Sequence, residues 1–428
     1  MLSRVLGCDN RGRRFSSSQK NVYFLIMKNR TEDVLTQNKI KQWRDDTPGC
    51  QHRNHLNNAG AALMPQPVID AVHEHLNLEA SIGGYEAAEL EKDQTEKAYR
   101  SVANLIQTQS SNIAMVENAT VATSQALSAF DFQQGDTILT TNVDYSSNQI
   151  MLLSLKKRFG IEIVRADDLP SGGVDSGSVR KLIRKKHPKL MLMSWIPTNS
   201  GLVQDAQAVG KICREAEVPF ILDACQAVGH IPVNVETLNC DFLAATARKF
   251  LRGPRGIGFL YVSDRMLELG VEPLFPDTHG AAWTEPDQYT LEPDARRFEN
   301  WEFSHALVLG LGAAAEYAME VGIDVAANRS SRLAEYTRSK LQDLPGVRIM
   351  DRGENQCAIV SVGFDQHQPE NLMKKLREEK INTSSASRTA GVIDMRSKGV
   401  DSILRISPHY YNTIKEIDKL LETLDRII

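Results

Sequence analysis

Residues 241–262 read DFLAATARKFLRGPRGIGFLYV. The two ends, DFLAAT (241–246) and GIGFLYV (256–262), are apolar on both faces, as buried strands are. Between them ARKFLRGPRG (247–256) places one lysine and three arginines in ten residues. Cations are costly to bury without partners. Either this is a solvated basic turn, or something anionic sits there.

The chain on either side has the same rhythm. Apolar strands are expected at IAMV (113–116), TILTT (137–141), IEIV (161–164), KLMLMSW (189–195) and PFILDA (219–224). Helical stretches such as VATSQALSAF, SSNQIMLLSLKKRFG and DAQAVGKICREAE separate several of them. Strands apolar on both faces, alternating with helices, predict a mostly parallel sheet covered on both sides. The fold class is therefore α/β, with a seven-stranded sheet in a large domain over 61–295. Two long helices follow, in EFSHALVLGLGAAAEYAMEVGI and NRSSRLAEYTRSKLQDLPGV, then strands around CAIVSVGF and ILRIS and a last helix in KEIDKLLETLDRII. They predict a smaller α+β C-terminal domain over 296–428. Residues 36–60 form an N-terminal segment before the large domain.

Composition narrows the function. The 428 residues carry a net charge of −4, with 42% hydrophobic and 24% charged content, as ordinary globular chains do. No global basicity suggests nucleic acid, and no apolar run approaches the roughly 20 residues of a membrane-spanning helix; neither partner is expected. The six cysteines are scattered without a CxxC pair, which suggests reduced thiols inside a cell. No histidine or cysteine spacing suits a metal. The first 20 residues hold five basic residues, one acid and four serines. Residues 1–35 therefore resemble a mitochondrial transit peptide, the alternative being a tail on a cytoplasmic protein.

Open α/β sheets bind ligands at the carboxyl ends of their strands. After IAMV, Ala119 and Thr120 open a helix whose N–H groups either meet an anion such as phosphate or are simply capped. After TILTT comes Tyr145, a flat aromatic surface or a half-buried ring. After KLMLMSW come Thr198 and Asn199. Asp223 ends PFILDA, where an acid needs a cation or hydrogen-bond donors. After DFLAAT come Thr246, Arg248 and Lys249. This is the set that pyridoxal phosphate requires: donors and a cation for its phosphate, a surface for its ring, a carboxylate for its ring nitrogen and a lysine for its aldehyde.

The order N-A-T, D-Y-S-S-N, P-T-N-S-G, D-A-C-Q-A-V-G-H, T-A-R-K and R-I-S-P-H-Y-Y-N-T resembles the class V aminotransferase family of fold-type I pyridoxal phosphate enzymes, from about Leu56 to the C-terminus. That family includes cysteine desulfurases, selenocysteine lyases, isopenicillin N epimerases and C–S lyases. The resemblance implies that Lys249 bonds the cofactor covalently, that Asp223 faces the pyridine nitrogen and that Gln226 lies near the ring hydroxyl. It puts Tyr145 where many members stack a histidine, and Thr120, Thr246 and Arg248 at the phosphate, although members usually carry histidine where Arg248 stands. Arg405 would clamp the carboxylate of an amino-acid substrate. The resemblance also implies a homodimer with Asn57, Asn58 and Gly60 near the mouth of the site. Of the remaining cations, Arg252 and Arg255 either steer substrate or face solvent, and Arg255 is assigned to solvent.

Two departures stand out. Desulfurases take sulfur onto a cysteine in the loop before the last strand, and here that loop, TSSASRTAGVIDMRSKGVDSIL, has none. Arg388 instead makes it more cationic, as a substrate-binding loop for an acid would be, while Arg396 is assigned to solvent. Many members carry F-E-x-G-T, whose threonine reaches the partner's phosphate; here the segment reads RFENW (297–301). The expected activity is elimination of a β-substituent from a cysteine-derived amino acid, ahead of epimerisation and transamination. A module that binds a phosphorylated ligand without catalysis is the distant alternative.

Overall fold

The computed structural model describes residues 37–428, so residues 1–36, with the expected transit peptide, lie outside the described residues. Residues 37–45 are helical and belong to a first unit; Thr47–Ile428 forms the second, described from here on.

Seven strands form the central sheet: β1 (Ile113–Val116), β2 (Thr137–Thr140), β3 (Glu162–Arg165), β4 (Leu190–Ser194), β5 (Phe220–Asp223), β6 (Phe242–Thr246) and β7 (Gly258–Val262). Their order is β1-β7-β6-β5-β4-β2-β3. All pairings are parallel except those of β7, which runs antiparallel to both β1 and β6. The expected sheet is thus present, each strand within two residues of its apolar run. Its central strands β4 to β7 are buried throughout, as a sheet covered on both faces requires. Because β7 reverses direction, the basic stretch 247–256 is the connection between neighbouring strands at the carboxyl edge of β6. That topology brings four cations to the ligand-binding edge.

A second sheet of four strands, including Val360–Phe364 and Ser402–Ile406, forms the C-terminal part. The helices His305–Val321 and Ile323–Leu341 precede it. The second begins five residues before the expected Asn328, directly after Gly322, whose φ of +87° ends the first. The closing helix Ile414–Ile427 starts at a capping box formed by Thr413 and Glu416. The segment ahead of the seven-stranded sheet is stitched onto this C-terminal part: Asn54–His55 pairs in parallel with Ile381–Asn382, and Asn57 bridges Ser407. No single described helix is long and apolar enough to cross a membrane.

Candidate active site

The carboxyl ends of β1, β5 and β6 and the N-terminal ends of the helices α1 (Ala119–Ser128) and α2 (Ser146–Phe159) line a cleft of about 510 Å³. Ala119, Thr120, Tyr145, Asp223, Thr246, Arg248 and Lys249 all line it, as the sequence led us to expect, with Asn148, Cys225 and Arg255 beside them.

Lys249 is buried, and no hydrogen bond or ion pair engages its amine among the described residues. Burial holds its pKa below the usual value, against the opposing pull of Cys225 and Asp223. Its Nζ lies 5.7 Å from the centroid of the Tyr145 ring. Asp223 ends β5 in register with Ser194 of β4. Its Oδ2 accepts hydrogen bonds from Asn148 Nδ2 (2.9 Å) and Ser194 Oγ (3.1 Å), and its Oδ1 accepts one from the Cys225 N–H (3.1 Å). Three donors therefore fix the carboxylate.

Asn148 and Asp144, which the sequence left unassigned although both lie in the quoted D-Y-S-S-N, organise the hydrogen bonds around Asp223 and Ser194. Tyr145 is the extended N-cap of α2 and Asn148 lies in its first turn, and both line the cleft. Buried Asp144 accepts from the Thr141 N–H (3.0 Å), the Thr141 hydroxyl (2.8 Å), the Ser194 N–H (2.7 Å) and the Thr140 hydroxyl. Burial pushes its pKa up to about 6. Ser194, clamped in this way, also accepts the Tyr145 N–H (3.0 Å). One five-residue motif thus ties β2 to β4, presents the ring and orients Asp223.

A second polar corner surrounds Arg405, buried on the strand Ser402–Ile406. Its Nη1 donates to the Thr198 carbonyl (2.9 Å) and hydroxyl (3.0 Å), and its Nη2 to Asn57 Oδ1 (3.3 Å). Burial and the charge of Arg248 lower its pKa to about 10. Gln226 Nε2 donates to the Ala59 carbonyl (3.1 Å) and the Thr198 hydroxyl (3.3 Å). Three atoms here, Arg405 Nε, Gln226 Oε1 and Asn199 Oδ1, are buried without a partner among the described residues. Unpaired buried polar atoms are costly, and a ligand bearing complementary groups would satisfy them.

Several residues do work other than that expected. Asn58 is fully buried and saturated: Nδ2 donates to the Ser407 carbonyl (2.8 Å) and Oδ1 accepts from the Tyr411 hydroxyl, so Asn57 is the residue that faces Arg405. Arg388 is half-exposed, ion-paired with Asp401 and absent from the cleft lining. Arg396 is exposed, as assigned. Arg252 neither steers substrate nor faces solvent. It is 2% exposed, donates to Leu63 O (2.8 Å), the Tyr410 hydroxyl (2.5 Å) and Thr47 Oγ1 (2.6 Å), and lies 4.5 Å over the Tyr411 ring. Arg248 lines the cleft yet gives one N–H to the Gly60 carbonyl. At α1, Asn118 Oδ1 caps the Thr120 (2.9 Å) and Val121 (3.1 Å) amides, so both readings of that helix start hold: it is side-chain capped, and Thr120 still faces the cleft. In RFENW, Arg297 binds backbone carbonyls and buried Glu299 accepts from Tyr99 and His279.

The residues fit pyridoxal phosphate. Lys249 would bond it, Asp223 would meet its ring nitrogen, Tyr145 would cover its ring, and Thr246, Arg248 and Thr120 would meet its phosphate. Among the described residues no cluster of His, Cys, Asp and Glu could hold a metal.

Comparison with known proteins agrees. Residues 54–420 match the family model described as aminotransferase class-V. A probable cysteine desulfurase of Methanothermobacter thermautotrophicus is 28% identical over 93% of this chain and 98% of its own length. One of Pyrococcus abyssi is also 28% identical, over 90% and 96%. Among solved structures, the apo cysteine desulfurase of Thermococcus onnurineus NA1 aligns with a TM-score of 0.83 at 24% identity, over 91% of this chain and 98% of that one. The cystine C–S lyase C-DES aligns at 0.79 and 21% identity, over 89% and 99%. Family model, fold and cleft point the same way: this chain belongs to the class V aminotransferase family and is a pyridoxal phosphate-dependent enzyme of fold type I.

Proposed function

We propose that the enzyme is a C–S lyase that eliminates the sulfur substituent of a cysteine-derived amino acid. The observation that carries this reading is that, among the described residues, neither the loop before the last strand nor the cleft lining offers a usable thiol. The loop Thr383–Leu404 contains no cysteine, and Cys225, the cysteine in the cleft lining, is buried beside Asp223 with its thiol pKa pushed up by burial. A sulfur-accepting thiolate is the nucleophile that a persulfide relay needs, so sulfur leaves on the product instead.

When bound, pyridoxal phosphate supplies an electron sink for the bond broken at the substrate Cα. Lys249, favoured as a neutral amine by burial, takes the Cα proton. The C–H electron pair becomes the Cα–Cβ double bond, the Cβ–S bond breaks, and sulfur departs as a thiolate with the Cβ–S pair; water then hydrolyses the released enamine to pyruvate and ammonia. Arg405 holds the substrate carboxylate, since its guanidinium matches a carboxylate in two hydrogen bonds. Asp223, fixed by Asn148 and Ser194, keeps a proton at the ring nitrogen.

The test is incubation with cysteine, cystine and cysteine S-conjugates without an added keto acid. Pyruvate and ammonia are expected. Turnover only with a keto acid means an aminotransferase, and deuterium entering Cα without net consumption means an epimerase; either result overturns the lyase reading. Borohydride reduction should fix the cofactor on Lys249.

We further propose that the enzyme works as a homodimer. Tyr85 and Trp301 are 78% and 55% exposed and line a groove of about 590 Å³ with Tyr99 and Phe303, and large exposed aromatics suit a protein interface. An active monomer in sedimentation would refute this.

A further inference from the structure

Three of the four cations between β6 and β7 have partners or a role in the structure. Lys249 points its amine at the cleft, Arg252 is locked among tyrosines, and Arg248 is tied to Gly60. Arg255 differs. It is exposed and lines the cleft next to Thr120, Thr246 and Arg248, yet no hydrogen bond or ion pair engages it among the described residues. We propose that Arg255 binds the cofactor's phosphate together with Arg248, supplying from its own chain a second cation at that end of the site. This rests on the pyridoxal phosphate reading above.

The placement of Arg255 is built into the backbone. Gly256 follows it with φ of +88°, a conformation that favours glycine, and so turns the chain back into β7. At Gly258 an added Cβ would lie 2.3 Å from the Ala245 carbonyl oxygen and 3.2 Å from Asn118 Cα. The start of β7 therefore packs directly on the residue that caps α1, which fixes the Arg255 turn against the anion-facing end of that helix. There, Asn118 already occupies the Thr120 and Val121 amides. The helix start thus offers fewer backbone donors than an uncapped one, and charged side chains must make up the difference for a phosphate carrying nearly two negative charges.

Electrostatics agree. The pKa of Arg248 is held below its usual value by burial and by the charge of Arg255. Glu117, the acid on this rim, makes no ion pair with either arginine among the described residues. Two guanidinium groups facing one space repel each other unless an anion lies between them, where both gain charge-assisted hydrogen bonds.

The experiment titrates cofactor-free wild type and Arg255→Ala with pyridoxal phosphate and, separately, with pyridoxal, following the absorbance change on capture by Lys249. Loss of one charge-assisted contact is expected to weaken uptake of pyridoxal phosphate by roughly ten- to a hundredfold. Pyridoxal, which lacks the phosphate, should be captured equally by both proteins. Arg255→Lys should recover part of the loss by restoring charge without the planar fork. Arg255 is exposed, so a matched thermal unfolding curve should confirm that the variant is folded. Equal affinity of both proteins for pyridoxal phosphate, or equal losses for both ligands, overturns the assignment. Wild type that captures neither ligand would refute the cofactor reading itself.

Discussion

Replacing Asn148 by alanine removes one of three donors to Asp223 and touches nothing on Lys249. The lost bond is 2.9 Å long and buried. A hydrogen bond to a charged acceptor contributes roughly 1.5–3 kcal/mol, which corresponds to about a ten- to hundredfold rate loss if expressed wholly in the transition state. Ser194 Oγ at 3.1 Å and the Cys225 N–H at 3.1 Å still hold the carboxylate, so the lower end is expected: a fall in kcat of roughly tenfold. KM should change little, because the substrate carboxylate is proposed to bind at Arg405, which Asn148 does not contact. Asn148→Asp should be worse, since a second carboxylate would face Asp223. The assay is steady-state pyruvate release, with a pH titration of the bound cofactor's absorbance as the readout that a merely structural role would not move. A kcat within twofold of wild type and an unshifted titration would refute the positioning role.

Arg252→Lys should destabilise the fold by about 3 kcal/mol or more, because an ammonium cannot replace a fork that reaches three acceptors; an unchanged denaturant midpoint would refute the tyrosine cage as a structural staple. Arg405→Lys should raise KM for amino-acid substrates while cofactor absorbance stays normal, and an unchanged KM would remove Arg405 from the substrate site. His55 and His230 are buried with pKa values lowered to about 4, chiefly by desolvation. For a base depressed in the folded state, the unfolded chain binds more protons between pH 4 and 6.5, so stability is full above about pH 6.5 and falls as pH drops toward 4. Asp144, raised to about 6, opposes this below pH 6, so the two histidines must outweigh it; a urea midpoint equal at pH 5 and pH 7.5 would contradict the balance. Residues 1–35 fused to a fluorescent protein should direct it to mitochondria, and diffuse cytoplasmic signal would refute the address.

Much of this was legible in order along the chain. Apolar runs bounded by small and polar residues gave each strand of the large sheet, because a strand covered on both faces must be apolar at every position. The site residues at strand ends followed, because such sheets bind ligands at their carboxyl edge. Asn148 stayed hidden, because its partner lies 75 residues away on a strand whose neighbours only the sheet order reveals. Asn57 and Asn58 are adjacent in sequence, and only the pairing with residues 405–412 decides that one faces Arg405 and the other is consumed internally.

The cations of ARKFLRGPRG show the same division most plainly. Sequence alone determined that four positive charges sit between two buried strands, and that the first pair follows the pattern of a cofactor lysine. Only the tertiary structure decided what each charge does. Burial and partner supply are properties of the folded neighbourhood: three tyrosine rings within 5.6 Å, contributed by residues 317, 410 and 411, make a buried arginine tolerable at 252, while at 255 the cleft leaves the same side chain exposed and without an ion pair among the described residues.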